Sequence, residues 1–72
     1  MATNVAAEIT GSVWKIEKGV GDRVEAGEAI LILESMKMEI PVESPCSGRV
    51  AEIRVSEGEQ VEEGAVLAVV DD

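Results

Sequence analysis

Residues 29–42 read Ala-Ile-Leu-Ile-Leu-Glu-Ser-Met-Lys-Met-Glu-Ile-Pro-Val, and this stretch decides the fold of the chain. Two apolar segments, 30–33 and 40–42, flank a polar centre at a spacing too tight for helices, which favours a β-hairpin. If Met36 and Lys37 form a two-residue loop, apolar residues face each other across the strands. The facing pairs would be Ser35 with Met38, Glu34 with Glu39, Leu33 with Ile40, and Leu31 with Val42. The stretch therefore predicts a hairpin with Lys37 at its tip.

The predicted hairpin tip departs from three local preferences. A two-residue loop favours Asn-Gly or another glycine-containing pair, which adopts positive φ at low cost, over Met-Lys. The facing carboxylates of Glu34 and Glu39 repel each other, and Met36 and Met38 add apolar surface to an exposed turn. Such departures at one place suggest a functional site. Because lysines are common in turns, these residues alone leave open that Lys37 is an ordinary solvated side chain.

The chain contains an internal repeat. Shifted by 37 positions, the segment from Gly11 to Glu34 falls on the segment from Gly48 to Asp71 without a gap. Glycines and apolar residues match while surface residues differ, as two copies of one folding unit should. The matched pairs include Val13 with Val50, Ile16 with Ile53, Gly21 with Gly58, Val24 with Val61, and Gly27 with Gly64. Trp14 falls on Ala51, and we expect this tryptophan to be a packing residue of the first half.

Each repeat unit reads as β-structure, because short apolar runs alternate with glycine-containing turn signals. Each half is expected to contribute about four strands. The predicted strands lie near Val13–Glu17, Arg23–Val24, Ala29–Glu34, Met38–Val42, Val50–Val55, Gln60–Val61 and Val66–Val70, with an N-terminal strand near Val5–Ile9. Two such halves would close on one another, because neither can cover its apolar face alone. We predict an all-β single domain over 1–72, a flattened barrel or two-sheet sandwich of two four-stranded quasi-symmetric halves.

Composition excludes several classes of function. The 72 residues carry a formal net charge of −9 and no histidine, which argues against binding to nucleic acid or to anionic membranes. The lone cysteine, Cys46, can form no internal disulfide, and no Cys/His set is available to hold zinc. The N-terminal residues lack the basic and apolar regions of a signal peptide. We therefore expect a cytoplasmic protein.

The segment Glu34-Ser35-Met36-Lys37-Met38-Glu39 resembles the attachment signature of the biotinyl domains of biotin-dependent carboxylases. The resemblance extends over essentially the whole chain and is closest to the free-standing biotin/lipoyl attachment proteins of bacteria. It implies that biotin is linked covalently to Lys37. It also implies that Met36 and Met38, with Glu34 in support, are read by biotin protein ligase. Ser35 departs from the alanine usual at this position, a small-for-small exchange.

Two alternatives to a biotin carrier stay open. Lipoyl domains share the fold and also use a hairpin lysine, but in them an acidic and a small residue typically flank that lysine. Both neighbours of Lys37 are methionines, which favours biotin over lipoate. The second alternative is a structural β-module that carries no modification.

The resemblance implies a carrier rather than an enzyme. Biotin protein ligase would load Lys37, a biotin carboxylase would carboxylate the cofactor, and a carboxyltransferase would pass the carboxyl group to an acceptor. The chain has no P-loop, no nucleotide-binding glycine motif and no catalytic triad. We therefore expect no catalytic residue and no metal site, and a monomer when the domain is isolated.

Overall fold

The computed structural model describes all 72 residues and contains eight β-strands. The strands are β1 (Ala2–Ala6), β2 (Gly11–Ile16), β3 (Arg23–Val24), β4 (Ala29–Ser35), β5 (Met38–Glu43), β6 (Gly48–Ile53), β7 (Gln60–Val61) and β8 (Val66–Asp71). Nowhere does the fold contain a helix long and apolar enough to cross a bilayer. The predicted all-β class is confirmed.

The strands form two antiparallel four-stranded sheets. One has the order β5-β4-β2-β7 and is called here the hairpin sheet; the other has the order β1-β8-β6-β3 and is called the terminal sheet. Each sheet takes three strands from one side of the repeat and one short strand from the other. β3 and β7 each pair with the sheet of the other half, because the turn before each strand crosses to that sheet. In the turn before β3, the amide of Gly21 donates a hydrogen bond to the carbonyl of Val50 in β6 (2.8 Å).

The repeat seen in the sequence is an approximate twofold relation in the structure. β2, β3 and β4 correspond to β6, β7 and β8, and β5 corresponds to β1. The pairing of β2 with β4 shifts register between Val13 and Lys15, and the pairing of β6 with β8 shifts at the equivalent place, between Val50 and Glu52. Each half therefore carries a β-bulge at the same point.

The core consists of two clusters of six buried residues, one on each side of the approximate twofold axis. The first cluster contains Val5, Val24, Ile30, Val50, Ala68 and Val70. The second contains Ala7, Val13, Leu31, Leu33, Val61 and Leu67. Leu31 and Leu33 of β4 are completely buried, so the strand that leads into the predicted hairpin tip is held firmly by the core.

Two details of the sequence interpretation were wrong. The N-terminal strand covers Ala2–Ala6 rather than Val5–Ile9, because its partner β8 begins at Val66, which pairs with Ala6 as the last position of the ladder. Trp14 is not a core packing residue: it lies at the bulge of β2 and 46% of its surface is exposed.

The hairpin tip and the chain termini lie at opposite ends of the molecule. Ser12, at the start of β2, pairs with Glu34 beside the tip, whereas Arg49, at the start of β6, pairs with Asp71 beside the C-terminus. The terminal amine of Met1 donates a hydrogen bond to a main-chain oxygen of Asp72 (2.9 Å). The molecule is elongated, with extents of 33 × 17 × 17 Å, so the tip projects at one end of the long axis.

Candidate functional site

The hairpin formed by β4 and β5 has the register that the sequence predicts. Ser35 pairs with Met38, Glu34 with Glu39, Leu33 with Ile40, and Leu31 with Val42. Met36 and Lys37 are the two loop residues. β5 is an edge strand, which is where Pro41 can lie without removing a ladder hydrogen bond from a central strand.

The two loop residues have a strained backbone. Met36 has φ 52° and Lys37 has φ 65°, and they are the only residues besides glycine with positive φ. Two successive positive φ angles are those of a type I′ turn, whose twist matches the hairpin but which favours Asn-Gly. The left-handed conformation costs a residue with a β-carbon about 1–2 kcal/mol. Met-Lys is therefore retained against a local preference, as is common at functional sites.

The side chains at the tip are open to solvent. Met36 is 92% exposed and Met38 63% exposed, and Lys37 between them is exposed as well. None of the five ion pairs of the structure includes Lys37. The tip thus presents a primary amine between two apolar side chains, and no carboxylate of the chain forms an ion pair with this amine.

The flanks of the hairpin are acidic. Glu34 and Glu39 are exposed and occupy facing positions, and no basic side chain forms an ion pair with either of them. On the other side of Glu34 lies Ser12, whose hydroxyl hydrogen-bonds to the side chain of Gln60 (3.1 Å). The structure therefore brings together Lys37, Met36, Met38 and Glu34, which the sequence singled out.

The loop residues lie apart from the cavities of the molecule. Two cavities, of about 260 and 270 Å³, lie beside the outer strands β1 and β5, and neither is lined by Met36, Lys37 or Met38. No cluster of acidic, cysteine or histidine side chains that could hold a metal ion is present.

The residues present fit a covalently attached acyl cofactor. An amide bond to a lysine requires an amine that another active site can reach, and Lys37 lies exposed at the end of the long axis. The attachment point must also be held in place while the cofactor moves, and β4 and β5 provide this through six paired positions. The exposure of Trp14 on this sheet could not be predicted from the sequence, because it depends on the β-bulge of β2.

The chain matches a known protein family over nearly its whole length. A family model described as "Biotin-requiring enzyme", which covers biotin and lipoyl attachment domains, matches residues 1–70. The chain belongs to this family. The family description names biotin, so the cofactor predicted from the sequence, covalent biotin, is confirmed.

Members of the biotin and lipoyl attachment family of similar length resemble the chain closely. It is 46% identical over 63 residues to the biotin/lipoyl attachment protein of Bacillus subtilis, covering 88% of this chain and 86% of that protein. It is 41% identical over 70 residues to the biotinylated protein TB7.3 homolog of Mycobacterium leprae, covering 97% of this chain and 99% of that protein.

A much larger protein has a closely similar structure in its matching segment. The crystal structure of the Kluyveromyces lactis urea carboxylase superimposes with a TM-score of 0.94 at 41% identity. The match covers 99% of this chain but 6% of that protein. A domain of this structure therefore also occurs as a small part of a urea carboxylase. That Lys37 carries the cofactor, and that Met36, Met38 and Glu34 guide a ligase, stay predictions.

Proposed function

We propose that the chain is a biotin carrier in which Lys37 forms an amide bond with the carboxyl group of biotin. The observation that carries this proposal is the exposed, strained Met36-Lys37 turn at the end of a rigid hairpin. A biotin protein ligase would supply biotin as an acyl adenylate. The Lys37 amine attacks the acyl carbon, the bond to AMP breaks, and the amine loses a proton. The chain contributes position, and the ligase contributes activation.

The bound cofactor would supply a ring nitrogen that accepts and releases a carboxyl group. The chain's part in that cycle is to hold the tether at the tip and to bring it to two enzymes in turn, a biotin carboxylase and a carboxyltransferase. A tethered group visits both active sites at high effective concentration. Support comes from the mycobacterial relative, which is named a biotinylated protein, and from the carboxylase that contains a matching segment.

The proposal includes three further properties of the carrier. It has no catalytic residue of its own, and the match of the chain to attachment domains and attachment proteins supports this. It acts as a monomer in the cytoplasm. The single cysteine is compatible with a reducing compartment.

The experiment that tests the proposal is the intact mass of the chain after incubation with a biotin protein ligase, ATP and biotin. We expect the mass of one biotinyl group, located on Lys37 by peptide mapping. Lys37→Arg should abolish the addition, and the matched variant Lys15→Arg, which changes another exposed lysine, should not affect it. An unmodified native chain in the presence of active ligase would refute the proposal. Addition of a lipoyl group by a lipoyl ligase instead would establish the alternative cofactor.

A further inference from the structure

The outward face of the hairpin sheet carries apolar side chains behind the tip. Lys15 of β2 pairs with Ile32 of β4, which pairs with Pro41 of β5. At the bulge two residues of β2, Trp14 and Lys15, oppose the single residue Ile32. Trp14, Ile32 and Pro41 therefore form a line across three strands, called here the apolar row. Trp14 and Pro41 are exposed and Ile32 is half-buried.

The approximate twofold relation shows that the fold does not require this row. At the equivalent positions of the terminal sheet stand Ala51, Val69 and Asn4. Each is smaller or more polar than its counterpart, and the terminal sheet has the same bulge and the same pairing. An exposed tryptophan in place of alanine leaves apolar surface in water without a folding requirement. Such surface marks interaction sites, and tryptophan is enriched among the residues that dominate them.

A second row, called here the acidic row, lies between the apolar row and the tip. It consists of Ser12, Glu34 and Glu39, which are paired across the same three strands. The equivalent positions in the terminal sheet hold Arg49, Asp71 and Ala2, so the charges of that row balance, whereas the acidic row carries two carboxylates and no basic residue. Lys15, beside Trp14 in the bulge, is the one basic residue of β2, β4 and β5. The face thus suits a protein surface with an apolar pocket bordered by basic side chains.

We infer that the enzyme that attaches biotin docks on this outward face, takes Trp14 into an apolar pocket and faces Glu34 and Glu39 with basic side chains. The inference rests on the proposed function. From the level of Ile32 to that of Ser35 the distance along β4 is about 10 Å at 3.3 Å per residue. A typical interface of about 800 Å² per partner corresponds to a disc of about 16 Å radius. An enzyme centred on Lys37 therefore covers the apolar row.

The attaching enzyme fits better than the enzymes that act later. It must bring its reacting atoms to the Lys37 amine itself, which forces close contact with the hairpin and its flanks. Enzymes that act on the far end of the attached cofactor reach it across a longer tether and need less of this surface. We therefore expect contacts on the outward face to strengthen the binding of the carrier to the attaching enzyme and to leave the rate of the chemical step unchanged.

Steady-state biotinylation kinetics test the inference. Trp14→Ala installs the residue that the equivalent bulge already holds, so the fold should persist, which circular dichroism and urea unfolding will verify. We expect KM for the carrier to rise about tenfold or more with kcat unchanged. The matched control is Val20→Ala, which removes another exposed apolar side chain, 66% exposed, outside the two rows. Its KM should equal that of the native chain, and an unchanged KM in Trp14→Ala would overturn the inference.

A spectroscopic measurement separates the possible occupants of the face. Trp14 is the only tryptophan, so 5-fluorotryptophan labelling gives one fluorine resonance. We expect this resonance to shift saturably when unlabelled ligase is added to apo carrier. A shift that depends on carrier concentration alone would show that a second copy covers the face, and no shift with saturating ligase would show that Trp14 stays in solvent; either overturns the inference. If the native chain accepts no biotin, the proposed function fails first and the inference with it.

Discussion

Gly11 lies directly against the backbone carbonyl of Glu34, and its equivalent Gly48 lies in the same way against that of Asp71. A β-carbon on Gly11 would lie 2.6 Å from the Glu34 carbonyl oxygen, and one on Gly48 would lie 2.5 Å from that of Asp71. Both approaches are possible only for glycine, because the obstructing atoms belong to backbone. The two contacts are alike in geometry, but only the first adjoins the hairpin tip.

This difference predicts separate effects of two equivalent substitutions. Gly11→Ala and Gly48→Ala should each destabilise the fold by about 1–3 kcal/mol, because the facing backbone must shift. Only Gly11→Ala should also lower kcat/KM for biotinylation, since it displaces Glu34, three residues before Lys37. Urea unfolding and ligase kinetics measure the two effects. An equal loss of biotinylation in both variants would show that stability alone is responsible.

Strain in the tip predicts that function and stability conflict at Met36. Asparagine tolerates positive φ better than methionine, so Met36→Asn should raise the free energy of unfolding by about 1 kcal/mol. The same variant should be biotinylated more slowly, because it removes an apolar neighbour of the amine. The control is Met38→Asn, at a strand position that is not left-handed. If Met38→Asn stabilised the chain equally, release of backbone strain would not be the cause.

Facing carboxylates predict a charge effect at the hairpin. Glu39→Gln should stabilise the fold by about 0.2–1 kcal/mol at low salt, because it removes the repulsion from Glu34 across the strands. The gain should shrink as salt is added and screens the charges. Glu43→Gln, on the same strand but opposite Ala29, is the matched control and should change little. Thermal unfolding at two salt concentrations gives both comparisons.

An ion pair near the end of β2 predicts a dependence of stability on pH. The Lys18 ammonium lies 2.9 Å from the Glu28 carboxylate; this hydrogen bond raises the pKa of Lys18 and lowers the pKa of Glu28. Glu28 thus binds a proton less readily in the folded than in the unfolded chain. Its contribution is present above the usual carboxyl pKa of 4.5 and is lost as pH falls through the lower folded value. The Lys18 contribution is present below 10.5 and is lost as pH rises through its folded pKa.

The variant Lys18→Met isolates this contribution. The difference in unfolding midpoint between the native chain and the variant should be greatest near neutral pH and should decrease toward pH 3. Lys15→Met removes a lysine without an ion pair and should give a difference that varies much less with pH. A constant difference for Lys18→Met across this range would mean that the pair contributes nothing to stability.

The hairpin register could be predicted because only one register brings Leu33 opposite Ile40 while leaving two residues for the loop. The extent of the first strand could not be predicted in the same way. Val5, Ala7 and Ile9 alternate as a strand would, but the strand ends where β8 begins at Val66, far away in the sequence. Local alternation predicts that a strand exists, whereas a distant partner determines where it ends.

The exchange of β3 and β7 between the sheets could likewise not be predicted from the sequence repeat. The offset that superimposes Val24 on Val61 is satisfied whether each short strand stays with its own half or crosses to the other. Trp14 was misread for a related reason. Its alignment with Ala51 indicated equivalent places in the fold, but the bulge that exposes both residues results from strand pairing. What distinguishes the two halves lies in surface residues, which the repeat does not constrain.

The placement of the termini opposite the hairpin makes the whole domain a spacer. In a longer chain such as the urea carboxylase, where the matching segment is 6% of the length, neighbouring segments would join at the end away from the lysine. The lysine would then swing on a rigid arm of up to 33 Å in addition to any linker. A stiff arm extends reach without the loss of orientation that an equally long flexible linker causes. The sandwich would thereby set how far apart two active sites can lie and still share one cofactor.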